Sequence, residues 1–285
     1  MFAAGINELD GKIRGGHLRL QDGRTWPKRV GCEFAGEVVA VGPEAGGLRV
    51  GERVFGWRPF DELGALAELV ACPGGLLHRL PAAASWAQGA ALPMVGATAL
   101  RTMRDEASDL AGCRVLVNGA AGGAGHLAVQ VARLAGARVT AVAGPDDRDF
   151  VRELGADLAL DYRAVDVTGR PERYDVVVDF AKALPWVSAR GLLVPGGRYL
   201  DVQPSARDFV GSAIANAFRA QTRDVVGVEV TARDLAHLAQ LVEAGKLRVV
   251  VGARYPWTDF AGAYRRLEGG EHVRGKAVFA VASAT

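Results

Sequence analysis

The chain has 285 residues, and its 34 Lys and Arg against 32 Asp and Glu leave a formal net charge of +2. That near-balance argues against a dedicated nucleic-acid binder, which carries a basic excess on one face. Apolar residues at 49% and charged residues at 23% exclude a disordered chain, and the length predicts two domains.

The opening MFAAGINELDGKIRGG has no basic stretch leading into an apolar one, and no segment is long and apolar enough to span a membrane. A soluble cytoplasmic protein is expected. Cys32, Cys72 and Cys113 are odd in number and widely spaced, so neither a disulfide framework nor a clustered metal site follows from them. Residues 34–41 (FAGEVVAV), 52–56 (ERVFG) and 65–71 (ALAELVA) are β-rich runs punctuated by Gly or Pro, and predict a small antiparallel β domain. Ser85-Trp-Ala-Gln88 is a capping-box pattern, in which each side chain satisfies a free backbone N–H at a helix start. A helix containing Pro93 is expected from there to Ser108.

Strand and helix then alternate. Arg114–Asn118, Arg138–Ala143, Leu158–Tyr162, Tyr174–Phe180 and Arg198–Val202 read as strands, with a sixth at Val225–Val230. Helices are expected over 124–135 and 147–154, the second stopped by Gly155. This alternation implies a parallel sheet covered on both faces, the α/β doubly wound class. Thr231-Ala-Arg-Asp234 caps a further helix that ends near Gly245, another helix falls near 258–268, and Lys276–Val281 closes the chain as a strand.

The turn between the first of these strands and its helix reads Gly119-Ala-Ala-Gly122-Gly123-Ala124-Gly125. Glycine permits the tight turn, lets the backbone touch a pyrophosphate and allows close helix–strand packing. The helix start then offers free N–H groups and a positive dipole end to phosphates. With strand, helix and second strand in place, the pattern predicts a dinucleotide site. An NAD-type site has an acid at the end of the second strand to hold the ribose 2′-OH. Here the strand ends Thr140-Ala-Val-Ala-Gly144 with no acid, and Arg148 follows four residues on, where it can pair with a 2′-phosphate. NADPH is therefore expected over NADH, with Asp146 and Asp147 read as first-turn acids that favour the helix dipole.

The stretches VLVNGAAGGAGHLAVQVARLAGARVTAVAG, FVRELGAD, LALDY, GINELDGKIRGG, EFAGEVVAVG, GERVFG, GAALPMVGATAL, LVPGGRYLDV, LVEAGKL and RGKAVF occur along nearly the whole chain. Together they resemble the medium-chain dehydrogenase/reductase superfamily, in particular its zinc-independent quinone oxidoreductases and the group related to reticulon-4-interacting protein. The resemblance implies a Rossmann dinucleotide-binding domain over 95–230 and a discontinuous GroES-like domain from 1–94 and 231–285. Relatives carry opening strands before the AAGIN segment, so a shortened β domain is expected, with an exposed edge or an incomplete substrate wall. It also implies that Ala121, Gly122, Gly123, Ala124 and Gly125 lie at the diphosphate and that Gly144, Arg148 and Tyr162 surround the adenosine end. Thr98 would lie near the nicotinamide, and Lys276 would be a cofactor-side lysine. A homodimer, paired along Rossmann edge strands, is expected by the same analogy.

Zinc-dependent relatives use a Gly-His-Glu step that here reads Gly31-Cys32-Glu33, and the Asn7–Asp10 neighbourhood supplies no cysteine, so no metal is expected. His17, His78, His237 and His272 show no metal spacing either. Without a metal, hydrogen-bond donors must hold the negative charge that develops on the substrate oxygen. Asn7 and Lys12 are the candidates, with Asp10 to orient Lys12. His126 is expected to pack, and Trp57 and Phe60 either line a pocket or anchor a loop. The expected activity is NADPH-dependent hydride transfer to a quinone or α,β-unsaturated carbonyl. The alternatives are a zinc-independent alcohol or carbonyl dehydrogenase and a non-catalytic NADPH-binding protein.

Overall fold

A computed structural model describes residues 1–16, 29–43, 45–106, 109–202, 221–227 and 229–281. Two units result, one from Met1–Ala97 with Val230–Thr285 and one from Thr98–Glu229. The first stretch gives β1 (Ala3–Gly5), α1 (Glu8–Arg14), β2 (Glu33–Glu37), β3 (Arg53–Trp57), β4 (Leu77–Arg79), α2 (Trp86–Ala90) and α3 (Pro93–Leu100). The middle gives β5 (Arg114–Asn118), α4 (Gly125–Leu134), β6 (Arg138–Ala143), α5 (Arg148–Glu153), β7 (Leu158–Asp161), β8 (Tyr174–Asp179), α6 (Trp186–Ala189), β9 (Leu193–Asp201) and β10 (Thr222–Val225). The last stretch gives α7 (Ala232–Glu243), β11 (Val251–Pro256), α8 (Phe260–Glu268) and β12 (Lys276–Ala280).

In the second unit all six strands run parallel in the order β10-β9-β8-β5-β6-β7. Val115, Leu116 and Val117 of β5 are completely buried, as a strand covered by helices on both faces requires. One cluster of the core joins Leu116, Val142, Leu160, Val177, Leu192 and Tyr199. The chain steps one way from β5 through β6 and β7 and the other way through β8, β9 and β10. The order therefore reverses between β5 and β8, and ligands of open α/β sheets bind outside the strand ends at such a point. Asn118 and Asp179 are partners across that junction, and Asn118 Nδ2 donates to Asp179 Oδ1 at 2.8 Å. Asp179 also accepts the amides of Ala181 and Leu184, at 2.9 and 2.7 Å.

The first unit holds a six-stranded sheet in the order β11-β12-β1-β2-β3-β4, antiparallel throughout except for β11 beside β12. On one face α2 presents Gly89, where a Cβ would sit 2.5 Å from Leu80 Cδ1 and 3.0 Å from Ala35 Cβ. Only glycine lets the helix lie this close. The cluster of Ala4, Ile6, Tyr255, Tyr264 and Phe279 forms a second core region of this unit.

Several expectations are corrected. Residues 38–41 continue the apolar run of β2 without extending the strand. The Val38 amide still reaches Glu52 O at 3.0 Å, but Val39 and Val41 are 64% and 48% exposed. Residues 65–71 form no strand. The amides of Ala65 and Leu66 bond Gly31 O and Val30 O, the pairing stops there, and Leu69 is exposed. The expected long helix splits into α2 and α3, because Pro93 has no N–H to continue α2 and instead opens the next helix. A π-helical turn carries the chain on to Glu106, and Ser108, the expected end, lies outside the described residues, as does His17. The sixth parallel strand ends at Val225, where it was expected to begin. The boxes at Ser85/Gln88 and Thr231/Asp234 both form. No described helix is long and apolar enough to cross a membrane.

Candidate active site

The glycine turn leaves β5 and enters α4 as the spacing demands. Gly119 has φ +76°, and a Cβ there would lie 2.9 Å from the Ala181 amide nitrogen. A Cβ on Gly125 would lie 2.1 Å from Gly119 O, so this contact belongs to the fold. At Gly122 the nearest atom to such a Cβ is Gly119 O at 3.4 Å, so the fold leaves room for a methyl there. The amides of Gly119, Ala120 and Gly122 are bonded within the turn or to Val142 O. Those of Ala121, Gly123, Ala124 and Gly125 find no main-chain acceptor among the described residues. Helix α4 has no side-chain cap at Ala124, whereas α2 and α7 are capped by Ser85 and Thr231. His126 is fully buried, and its Nδ1 lies 2.7 Å from Gly123 O and 3.1 Å from Gly122 O. Donation there requires the proton on Nδ1, and it pins the turn from beneath. Unpaired amides at an uncapped helix start form an anion cradle, so these residues fit a dinucleotide diphosphate.

At the end of β6, Gly144 and Tyr162 come together. The Tyr162 amide donates to Ala143 O at 3.1 Å, and a Cβ on Gly144 would stand 3.7 Å from Tyr162 Cε1. Tyr162 is 57% exposed. Arg148 is exposed at the first position of α5, with no ion-pair partner among the described residues. Asp147 is buried beside Gly144, while Asp146 is exposed. The Arg163 guanidinium lies 5.7 Å from the centre of the Tyr162 ring.

The first unit contains a buried polar cluster around Asn7. Lys276 is 4% exposed; its Nζ donates to Ile6 O at 2.7 Å and to Asn7 Oδ1 at 2.5 Å, and forms an ion pair with Glu33 Oε1 at 2.7 Å. Asn7 Nδ2 donates to Glu33 Oε1 at 2.9 Å and to Cys32 Sγ at 3.4 Å. Glu33 Oε2 accepts the Met94 amide at 2.9 Å. Gly5 makes room for this carboxylate, since a Cβ there would lie 2.4 Å from Glu33 Oε1.

Two expectations change here. The Asn7 side-chain amide is committed to Glu33 and Cys32, so it is no open donor for a substrate oxygen. Lys276 is committed to holding Asn7 and Glu33. Asp10, 2% exposed, accepts the Asn7 backbone N–H at 2.9 Å and the Gly31 backbone N–H at 3.3 Å, with the Tyr264 hydroxyl as a further donor. Burial pushes the Asp10 carboxyl above its usual range, against these hydrogen bonds and the Lys276 charge. The Lys276 charge acts on Asp10, and Lys12 stands half-buried on α1. Thr98 is buried on α3, where its carbonyl accepts the Thr102 hydroxyl at 2.9 Å.

Cys32 is fully buried and 3.8 Å from Met94 Sδ. Burial and the neighbouring Glu33 and Asp10 carboxylates raise its thiol well above the ordinary value, which disfavours the thiolate a zinc ion needs. Among the described residues no three His, Cys, Asp or Glu side chains are grouped to hold a metal. The residues therefore do not fit a zinc site. Trp57 is buried and packs edge-to-face on Phe60 at 5.4 Å, which anchors the loop after β3.

A doubly wound parallel sheet with a phosphate-type turn, in one chain with a GroES-like β unit, is the architecture of a dehydrogenase/reductase. Residues 1–82 match the alcohol dehydrogenase GroES-like domain, and residues 154–279 match the zinc-binding dehydrogenase family. The chain is 32% identical to the chloroplastic quinone-oxidoreductase homolog of Spinacia oleracea, over 97% of this chain and 87% of the relative. It is 28% identical to the mitochondrial NAD(P)H oxidoreductase RTN4IP1 of Bos taurus, over 99% and 82%. The solved structure of the quinone oxidoreductase from Coxiella burnetii matches with a TM-score of 0.89 at 28% identity, covering 99% of this chain and 89% of that one. The chain belongs to the medium-chain dehydrogenase/reductase superfamily, among its quinone-oxidoreductase-like members.

Proposed function

We propose that the chain is an NADPH-dependent reductase of quinones or α,β-unsaturated carbonyls. The observation that carries this reading is the uncapped start of α4, with the unpaired amides of Ala121, Gly123, Ala124 and Gly125 around it. Those amides and the helix dipole bind the diphosphate, and Gly144, Tyr162 and Arg148 receive the adenosine end. When bound, NADPH supplies a hydride. Lys12 gives a proton to the oxygen that gains charge, and Lys276 and Asp10 fix the segment before it through Asn7. A homodimer paired along an edge of the parallel sheet, β7 or β10, completes the reading.

The test is loss of NADPH absorbance with a panel of quinones, enones, aldehydes and simple ketones. Turnover on quinones or enones, slowed by Lys12→Ala, is the expected result. Turnover on simple ketones alone would replace the reading with that of a carbonyl dehydrogenase. NADPH binding without turnover on any of them would leave a nucleotide-binding protein.

A further inference from the structure

We propose that the indole N–H of Trp57 is the hydrogen-bond donor for the carbonyl oxygen that gains charge during reduction. The inference rests on the reductase reading above and deepens it by naming a residue that touches the substrate. The sequence points to Asn7 for this role, but Glu33 and Cys32 hold its side-chain N–H groups. Among the described residues of the first unit, two buried side-chain nitrogens lack an acceptor, Arg53 Nε and Trp57 Nε1. The Arg53 guanidinium is engaged elsewhere, over the Trp86 ring at 4.5 Å and through Nη2 with Ala84 O at 2.8 Å. The Trp57 indole has one donor, and it is open.

Its place in the sheet fits the role. Trp57 ends β3 directly opposite Glu33 of β2, and opposed residues of an antiparallel pair share a face of the sheet. The indole therefore leaves the sheet on the face that carries Glu33 and, through it, Asn7 and Lys276. The backbone is fixed on both sides: the Arg58 amide donates to Cys32 O at 2.6 Å, and the Cys72 thiol donates to Trp57 O at 3.6 Å. Trp57 is only 5% exposed. A buried donor without an acceptor costs free energy, and a ligand that brings the acceptor recovers it. The indole is neutral, and the charges of Lys276 and Glu33 offset each other. The matching ligand is an uncharged carbonyl compound with an apolar body, as a quinone or enone is. The half-buried Phe60 ring, edge-on to the indole at 5.4 Å, is the group that such a ligand displaces. Hydride transfer adds an electron pair to the substrate, which appears as negative charge on the oxygen. The indole hydrogen bond strengthens toward that charge and keeps its proton, and the proton that completes the reduction comes from Lys12.

The experiment follows NADPH oxidation by the full chain with benzoquinone and with an unsaturated ketone, beside NADPH titration and thermal melts. Trp57→Phe removes the N–H, and benzothienylalanine placed at position 57 removes it while keeping the shape of the ring. Both should lose roughly 100-fold in kcat/KM, mostly in kcat, because the contact strengthens as charge develops. The benzothienyl protein should keep its NADPH affinity and melt at or above the wild-type Tm, since an unpaired buried donor is gone. Wild-type turnover in the benzothienyl protein would overturn the proposal. A lowered Tm in that protein would overturn it too, by showing that the N–H is bonded within the fold. Absence of turnover by wild type on both substrates would instead overturn the reductase reading on which the proposal rests.

Discussion

The Lys276 ammonium lies 2.7 Å from the Glu33 carboxylate, with the two side chains only 5% and 0% exposed. This contact ties the final strand of the first unit to its second, and Asn7 is suspended between the two charges. Breaking a buried pair from one side leaves the other charge uncompensated, at about 3–5 kcal/mol. Lys276→Met should therefore destabilise the protein by roughly that much in urea unfolding. Adding Glu33→Gln should recover a substantial part, because the stranded charge is gone. A Lys276→Met protein as stable as wild type would show that the pair carries no such weight.

The glycine turn separates ligand from fold. At Gly125 an added methyl meets Gly119 O at 2.1 Å, whereas at Gly122 the nearest atom is 3.4 Å away. Gly125→Ala should lower Tm and coenzyme affinity together. Gly122→Ala should keep its Tm yet weaken NADPH binding by about tenfold, ~1.4 kcal/mol, because the methyl occupies the approach of the diphosphate. Fluorescence titration beside thermal melts distinguishes the two. Unchanged NADPH affinity in Gly122→Ala would place the diphosphate elsewhere.

Asp10 makes stability depend on pH in a particular direction. Its carboxyl is raised above the ordinary 3.8 chiefly by burial. Between that value and the raised one, the folded protein holds a proton that the unfolded chain has released. The contribution of Asp10 is thus fully present below pH 3.8 and declines as pH rises through the folded value. Asp10→Asn should flatten the fall of unfolding free energy with pH across this window. A parallel curve for the variant would remove Asp10 as the source.

How much of this was legible beforehand depended on how local the determinant is. Strands β5 and β6 were placed to the residue, because a parallel strand buried on both faces is a continuous apolar run between breaks. The caps at Ser85 and Thr231 were equally readable, since the whole interaction spans four positions. The valines after β2 misled because an apolar run shows strand propensity without showing a partner. The cluster around Asn7 was invisible in its essentials. Lys276 meets Ile6 across 270 positions, and nothing near either residue announces the other. The sequence offered Asn7 as a donor to a substrate oxygen, whereas in the structure Glu33 and Cys32 hold its side-chain N–H groups.

Coenzyme binding to the purified chain is the most direct test of the whole account, since the open amides of one β–α turn are its foundation. Isothermal titration with NADPH and with NADH should show one site per chain, tighter for NADPH, with the difference shrinking as salt is added. Absence of binding by both reduced coenzymes, under conditions where the chain is folded, would contradict it.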